Sequence, residues 1–379
     1  MKIIILPTAL LLALNCQANT NLPNMQMHVF NDEPEAKNTP PAMQMVIFSN
    51  DDSVQKEDKS QGDNFRLAYV DDDQVSVYSD EPEVSHAVEH DDRTIDIEFY
   101  ADAGYRQDKL DWNKASPTGT PNILSELTWD NLEIAVVEIG TSIHTPSNWV
   151  MDARFAYGTI YEGDNQDSDY DGNNRTQESF RGYANADEGN TIDTSIGFGY
   201  RALIIPAPAR FKKPILSFTP KVGFSYHAQN LTMTDGQVVI PTSITVAELD
   251  SKYDTSWYGP WAGFDSELSI ADRFSLTTKF EYHYAYYEAT AEWNLRTDRE
   301  QPKSFSHTAE GTGFLASLGS QYKLNQDLFL NVSVDYQDWR ADKKGRTTEF
   351  FIDGSRSSQK LNEVNWESMG ANVGLRFVF

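Results

Sequence analysis

The chain is 379 residues long and sets 57 Asp and Glu against 31 Lys and Arg, a formal net charge of -26. That excess argues against a nucleic-acid partner, whose phosphates demand Lys and Arg, and favours cationic partners or divalent ions. Beyond the N-terminal leader, no stretch approaches the roughly 20 apolar residues that a membrane helix requires.

Met1 to Ala18 reads as a secretory signal peptide: Lys2 supplies the charge, Ile3 to Leu14 the apolar run, and Cys16-Gln17-Ala18 a small-residue cleavage site. Asn15 stands where a lipobox wants a small residue, which disfavours lipidation of Cys16. Cleavage removes the chain's single cysteine and with it any disulfide. Residues 19–93 follow as an acidic, low-order periplasmic extension. Short apolar beads such as Met25 to Phe30 and Met43 to Phe48 alternate there with acidic runs, and Asp32-Glu-Pro-Glu35 returns as Asp80-Glu-Pro-Glu83. The spacing is too irregular for a solenoid, and the charge balance suits extended, solvated chain. His86 and His90, with Glu83, Glu89 and Asp91 nearby, would hold a metal only on a helix, which this composition does not favour.

From Thr94 the texture changes to long segments of period two, the mark of a strand with one apolar face. Ile95, Ile97, Phe99, Ala101, Ala103 and Tyr105 oppose Asp96, Glu98, Asp102, Gly104 and Arg106. Ile192, Ile196, Phe198 and Tyr200 oppose Asp193, Ser195, Gly197 and Arg201, and Leu328 to Tyr336 repeats the rule. Segments fall at about 94–112, 122–144, 147–163, 190–204, 213–231, 253–270, 272–294, 310–324, 326–343 and 363–379. Connections near Pro146, Ile204 to Pro214, Ala271 and Asn325 are mostly short. Those around Pro117, Asp164 to Gly189, Thr232 to Lys252, Leu295 to Glu310 and Lys344 to Asn362 are long or polar. Alternation of short turns and long loops predicts an all-β, transmembrane, antiparallel up-and-down barrel of about ten strands over residues 94–379, in the outer membrane of a Gram-negative cell. The last strand, Met369 to Phe379, keeps its apolar face to the end. A terminal Phe379 of this kind is what barrels offer their assembly machinery.

Trp112, Trp257, Trp293, Trp339 and Trp366 fall near the outer strand ends and Trp149 at the opposite rim, as aromatic girdles would. The inward faces hold Asp96, Glu98, Asp102, Arg106, Asp193, Arg201, Lys279, Glu281, Asp335 and Arg376. In a barrel this narrow, charges of both signs are expected to pair and close the lumen; a small channel is the alternative if a wet path survives between them.

Two readings compete for the segment after the third strand. Asp167-Ser-Asp169-Tyr-Asp171-Gly172 and Glu178 match the calcium-loop spacing, in which carboxylate oxygens wrap one Ca2+. Against this, no helices flank the segment, and Asn174 and Arg175 depart from the pattern. Asp167 and Asp169 are also spaced to act as acid and base on a water, given a partner across the mouth. Glu288, Glu292, Asp298 and His307 are the candidates there. His283 lies mid-strand and faces inward, as a lumen hydrogen-bonder would.

Ten long strands, Asp167-Ser-Asp169-Tyr170 in the second outer loop, Leu110-Asp111-Trp112, Trp129-Asp130 and Phe280-Glu-Tyr282 together resemble the omptin fold of outer-membrane aspartyl proteases, over roughly Thr94 to Phe379. Asp167-Ser-Asp-Tyr, Asn174-Arg175 and the closing Gly374-Leu-Arg-Phe are similar to the omptin-related Protochlamydia outer membrane proteins. The resemblance implies a water activated between an Asp pair and an Asp-x-His couple. Asp167 and Asp169 match the pair, but Ala291-Glu-Trp-Asn-Leu295 stands where the couple belongs. Losing base and orienting acid costs orders of magnitude in rate. The expectation is therefore an omptin-like barrel that binds a cationic ligand or divalent ion at its acidic outer loops without catalysis, the alternative being an endopeptidase using Asp167, Asp169 and His307.

Overall fold

A strand with one apolar and one polar face must hide the first from water. Ten of them do so by closing into a ring whose apolar side faces outward. The computed structural model describes residues 95–205 and 215–379. The leader and the acidic extension, with the expectations placed on them, lie outside the described residues. The strands are β1 (Asp96–Lys114), β2 (Ser125–His144), β3 (Trp149–Gly172), β4 (Thr176–Tyr200), β5 (Leu203–Ile205), β6 (Leu216–Ile240), β7 (Ile244–Ala271), β8 (Phe274–Glu292), β9 (Phe305–Lys323), β10 (Leu328–Phe350) and β11 (Arg356–Val378). All long neighbours pair antiparallel in chain order. β4 joins β6, the short β5 lies on the rim of β6, and β1 pairs with β11 to close the ring.

The expected outward faces are the exposed ones. Ile97, Phe99, Val137, Ile139, Met151, Phe155, Ile196, Phe198, Val222, Phe224, Leu318, Val332, Val334, Val373 and Leu375 form an exposed apolar belt. Along β1 the belt runs from Ile97 to Tyr105, about nine residues, the length a tilted strand needs to cross a ~30 Å hydrocarbon core. Long strands of 19 to 28 residues therefore stand far above the belt. This corrects the loop expectations: Asp164 to Gly189, Thr232 to Lys252 and Lys344 to Asn362 are mostly strand, closed by tight turns such as Asn173 to Arg175. Above the lipid nothing demands an apolar face, so the sheet continues with polar residues on its outer side.

The tryptophan expectation is also corrected. Trp112, Trp257, Trp339 and Trp366 share a face with the inward charges, and together with Trp129 they are buried inside the barrel. Trp293 packs edge-on against Phe305 at 4.8 Å. The outer girdle is made of tyrosines instead, with Tyr105, Tyr161, Tyr226, Tyr284, Tyr286 and Tyr336 exposed at the upper margin of the belt. Trp149 does stand on the lower rim, stacked on Phe198 at 4.8 Å.

Inside, the barrel has two storeys. At membrane level several of the inward charges pair: Arg106 with Asp193 at 2.6 Å and Asp108 at 2.9 Å, Arg376 with Glu98 at 2.7 Å, Arg154 with Glu281 at 3.3 Å, and Lys221 with Asp152 and Asp265, whereas Asp335 accepts from Asn372 at 2.6 Å and Asp102 Oδ1 is buried without a hydrogen-bond partner. His227 Nδ1 is 2.7 Å from Asp193, and His283 Nδ1 is 3.1 Å from Ser225 Oγ. A polar cavity of about 280 Å³ remains among these groups. The pairs alone therefore leave space. In the upper storey Leu110, Leu127, Leu132, Leu231, Tyr253, Tyr287 and five tryptophans form one apolar cluster, which reaches across the lumen from Trp112 on β1 to Tyr253 on β7.

Candidate functional site at the outer mouth

Above this plug, strand register decides which side chains meet. Asp167 lies opposite Leu127 and Asp169 opposite Ser125, while Ser125 is in turn opposite Lys114 of β1. Leu127 and Lys114 are buried inside the barrel, so both carboxylates point into the mouth on the same face of β3. Burial, reinforced by the neighbouring charge of Asp169, pushes the Asp167 carboxyl up to about 8. Burial also raises Asp169, against a hydrogen bond from Ser125 and the pull of Lys114. Asp167 Oδ1 is buried with no hydrogen-bond partner.

Across the mouth, Lys114 Nζ lies 2.8 Å from Glu349 Oε1, and Arg299 Nη1 lies 3.0 Å from Glu349 Oε2. Burial alone would raise Glu349, but these two cations hold its carboxyl below the ordinary range. Arg299 comes from the connector 293–304, which folds onto the β10–β11 hairpin: Glu300 N–H donates to Phe350 O at 3.0 Å, and the guanidinium rests 4.2 Å from the centre of the Phe351 ring. Lys114, Glu349 and Arg299 were not singled out in the sequence. The parity of Lys114 with Arg106 and Trp112 marks it as inward. Glu349 and Arg299 carry no such signal, since β10 runs past its expected end.

His307 is on the inner face of β9 but apart from the acid pair. Its Nδ1 is 2.8 Å from the Tyr253 hydroxyl, which is 2.7 Å from the Tyr287 hydroxyl, and its ring packs edge-on against Trp112 at 4.7 Å. Burial, then the nearby Lys114 charge, drives the imidazole well below its ordinary pKa, so it is neutral. No hydrogen bond joins it to Asp167 or Asp169 among the described residues. The other partner candidates fare no better. Glu288 accepts from Tyr258 on the outer surface at 2.9 Å, Asp298 is held by Arg296 at 2.8 Å, and the inward residues at the end of β8 are Tyr287, Ala289 and Ala291. Glu292 shares the outward phase of Glu288.

The calcium spacing falls on a hairpin. Asp167 and Asp169 face in, Asp171 is exposed beside the turn, and both Glu178 oxygens are taken by Arg181 at 2.7 and 2.6 Å. Among the described residues no three His, Cys, Asp or Glu side chains converge as a metal site. Of the local echoes, Trp129 stacks on Tyr253 at 4.9 Å inside the plug, whereas Asp111 and Asp130 bond Asn365 and Lys109.

Comparison with known proteins agrees with this architecture. The Escherichia coli outer membrane protease OmpT superposes with a TM-score of 0.60 at 14% identity, over 75% of this chain and 97% of that one. The autotransporter NalP translocator domain from Neisseria meningitidis gives 0.32 at 10% identity, over 74% and 88%, and Ail from Yersinia pestis gives 0.25 at 11%, over 74% and 98%. The last two scores are too low to argue from, and the first speaks for the fold alone. A search of curated protein sequences returned no match. The family profile described as Protochlamydia outer membrane protein matches residues 100–379. With its lipid-facing belt and closed ring, the protein is an outer-membrane β-barrel of omptin-like fold, and it belongs to the Protochlamydia outer membrane protein family.

Proposed function

We propose that this barrel is a surface receptor: closed to solutes by its aromatic plug, it offers the Asp167–Asp169 pair at its outer mouth to a cationic group of an external ligand and does not hydrolyse it. The observation that carries this reading is the pair itself, two carboxylates side by side with one Asp167 oxygen unpartnered. A buried acid pair gains from a cation that replaces lost hydration. Ala291 opens the stretch Ala291–Leu295 that stands in place of the second couple, and His307 gives its Nδ1 to Tyr253, leaving Nε2 unpartnered and without a bond to the acid pair. The lipid-facing belt and the exposed Phe379 support membrane lipid and the barrel assembly machinery as its other partners.

The probe is an Ala-Arg-Arg-Ala peptide with blocked ends, titrated calorimetrically into refolded protein. A cation needs the ionised pair, so affinity is expected to rise as pH climbs toward about 8 and to level off above it. Asp167→Asn should weaken binding at least tenfold, on the order of 1.4 kcal/mol. Unchanged affinity in that variant refutes the receptor reading, and cleavage by the wild type that Asp167→Ala abolishes would restore the endopeptidase.

The raised Asp167 carboxyl also has a stability consequence. Its folded pKa exceeds the unfolded one, so its contribution is greatest below about pH 4 and is lost as pH rises through about 8. Asp167→Asn is therefore expected to unfold at higher urea than wild type above pH 8, with the gap closing toward pH 4. Urea midpoints at three pH values check this.

A further inference from the structure

The outer hairpins end at different heights, which leaves strand edges without neighbours. β7 pairs with β6 over Ile244–Val246 and again from Asp250, with a bulge at 247–249 between, but its pairing with β8 begins only at Lys252, opposite Glu292, where β8 ends. Among the described residues, Ile244 to Val246, Asp250 and Ser251 thus have a sheet neighbour on one side alone. The connector 293–304 does not cover the vacant side, because it turns toward the β10–β11 hairpin. Among the described residues, Asn294 reaches the edge at the bulge. Its Nδ2 donates to Glu248 O at 2.7 Å, and its Oδ1 accepts from Asp250 N–H at 3.2 Å and Ser251 Oγ at 3.0 Å. One side-chain amide thus meets the backbone at the bulge, below the paired stretch Ile244–Val246.

Exposed edges are usually blunted by lysine, proline or brevity. Ile244-Thr-Val246 brings neither lysine nor proline, is β-branched throughout and is followed by acids; a bulge, itself a blunting device, ends it at 247–249, where Glu248 has a φ of 59°. Ile244 is 58% exposed. Asp235 on β6 and Glu292 on β8 add further negative charge beside it.

We propose that the β7 edge over Ile244–Val246 docks an extended peptide segment of alternating β-branched and basic residues, which adds a strand to the outer rim. Main-chain bonds supply the affinity in such augmentation and the flanking side chains the choice of partner. Here Glu248 and Asp250 select lysine or arginine at the end of the added strand nearer the membrane, and Ile244 and Val246 select apolar residues at the other. This surface lies apart from the acid pair, with β4 and β6 between β3 and β7.

The test is hydrogen exchange on the refolded full chain with an alternating Lys/Val/Thr octapeptide, ends blocked. Amides in 244–248 should exchange at least tenfold more slowly with peptide. Val246→Lys and Glu248→Lys should each lose that slowing while keeping wild-type heat-modifiability on gels, whereas Asp167→Asn should retain it. No slowing in wild type, or equal slowing in both lysine variants, overturns the proposal. Loss in Asp167→Asn also overturns it, by placing the peptide at the mouth. Slowing that needs no peptide and grows with protein concentration does so too, since it gives the edge to a second copy.

Discussion

Trp366→Ala is expected to cost the barrel about 3–5 kcal/mol, the range for truncating a buried large aromatic. Trp366 is fully buried, stacked on Trp339 at 5.5 Å and near Trp257 at 6.3 Å, and its indole N–H donates to Asp108 at 3.1 Å. Cavity and lost hydrogen bond add, because the surrounding strands are fixed in a closed ring and cannot collapse inward. Trp366→Phe keeps most of the volume and loses only the indole donor, so it should cost about 1–3 kcal/mol. Urea unfolding in lipid vesicles measures both. The same plug predicts that wild-type protein gives no conductance steps in planar bilayers; steps in the wild type would remove the closed-barrel reading.

Arg106→Met is expected to cost a comparable ~3–5 kcal/mol, because it strands two carboxylates around one missing cation. Asp108 and Asp193 are both within 3 Å of the guanidinium, and the arginine is 7% exposed. Asp193 keeps His227, and Asp108 keeps Gln229 and Trp366, so the fold survives with a weakened lower storey. Adding Asp193→Asn to Arg106→Met should recover part of the loss. If the double variant is as unstable as the sum of the two singles, the pair is not coupled and the network argument is wrong.

The barrel was legible because lipid enforces period two: wherever the belt lies, an outward residue had to be apolar, and the segments at 94–112, 190–204 and 363–379 show it. The hairpins above the belt were not legible, since Asp164 to Gly189 is solvated on its outer face and alternates polar with polar. The tryptophans teach a narrower lesson. Trp112 and Trp366 carry even numbers on strands whose lipid-facing residues are odd, so parity places them inside, whereas their position near the outer strand ends points to a girdle. At the mouth, the spacing of Asp167 and Asp169 sufficed to put both on one face. The separation of His307 from them depends on Tyr253, 54 residues away, and the clamp of Lys114 on Glu349 spans 235 residues. Partners at such distances are set by register around the ring, which no local pattern encodes.

The pairing of β1 with β11 sets the order of events during assembly. Glu98 lies opposite Val378, so the cylinder cannot be sealed before β11 has arrived, and joining strands that far apart costs roughly 5 kcal/mol of chain entropy. Until then β1 waits with one margin bare, and whatever shelters that margin in the periplasm governs the yield of finished protein.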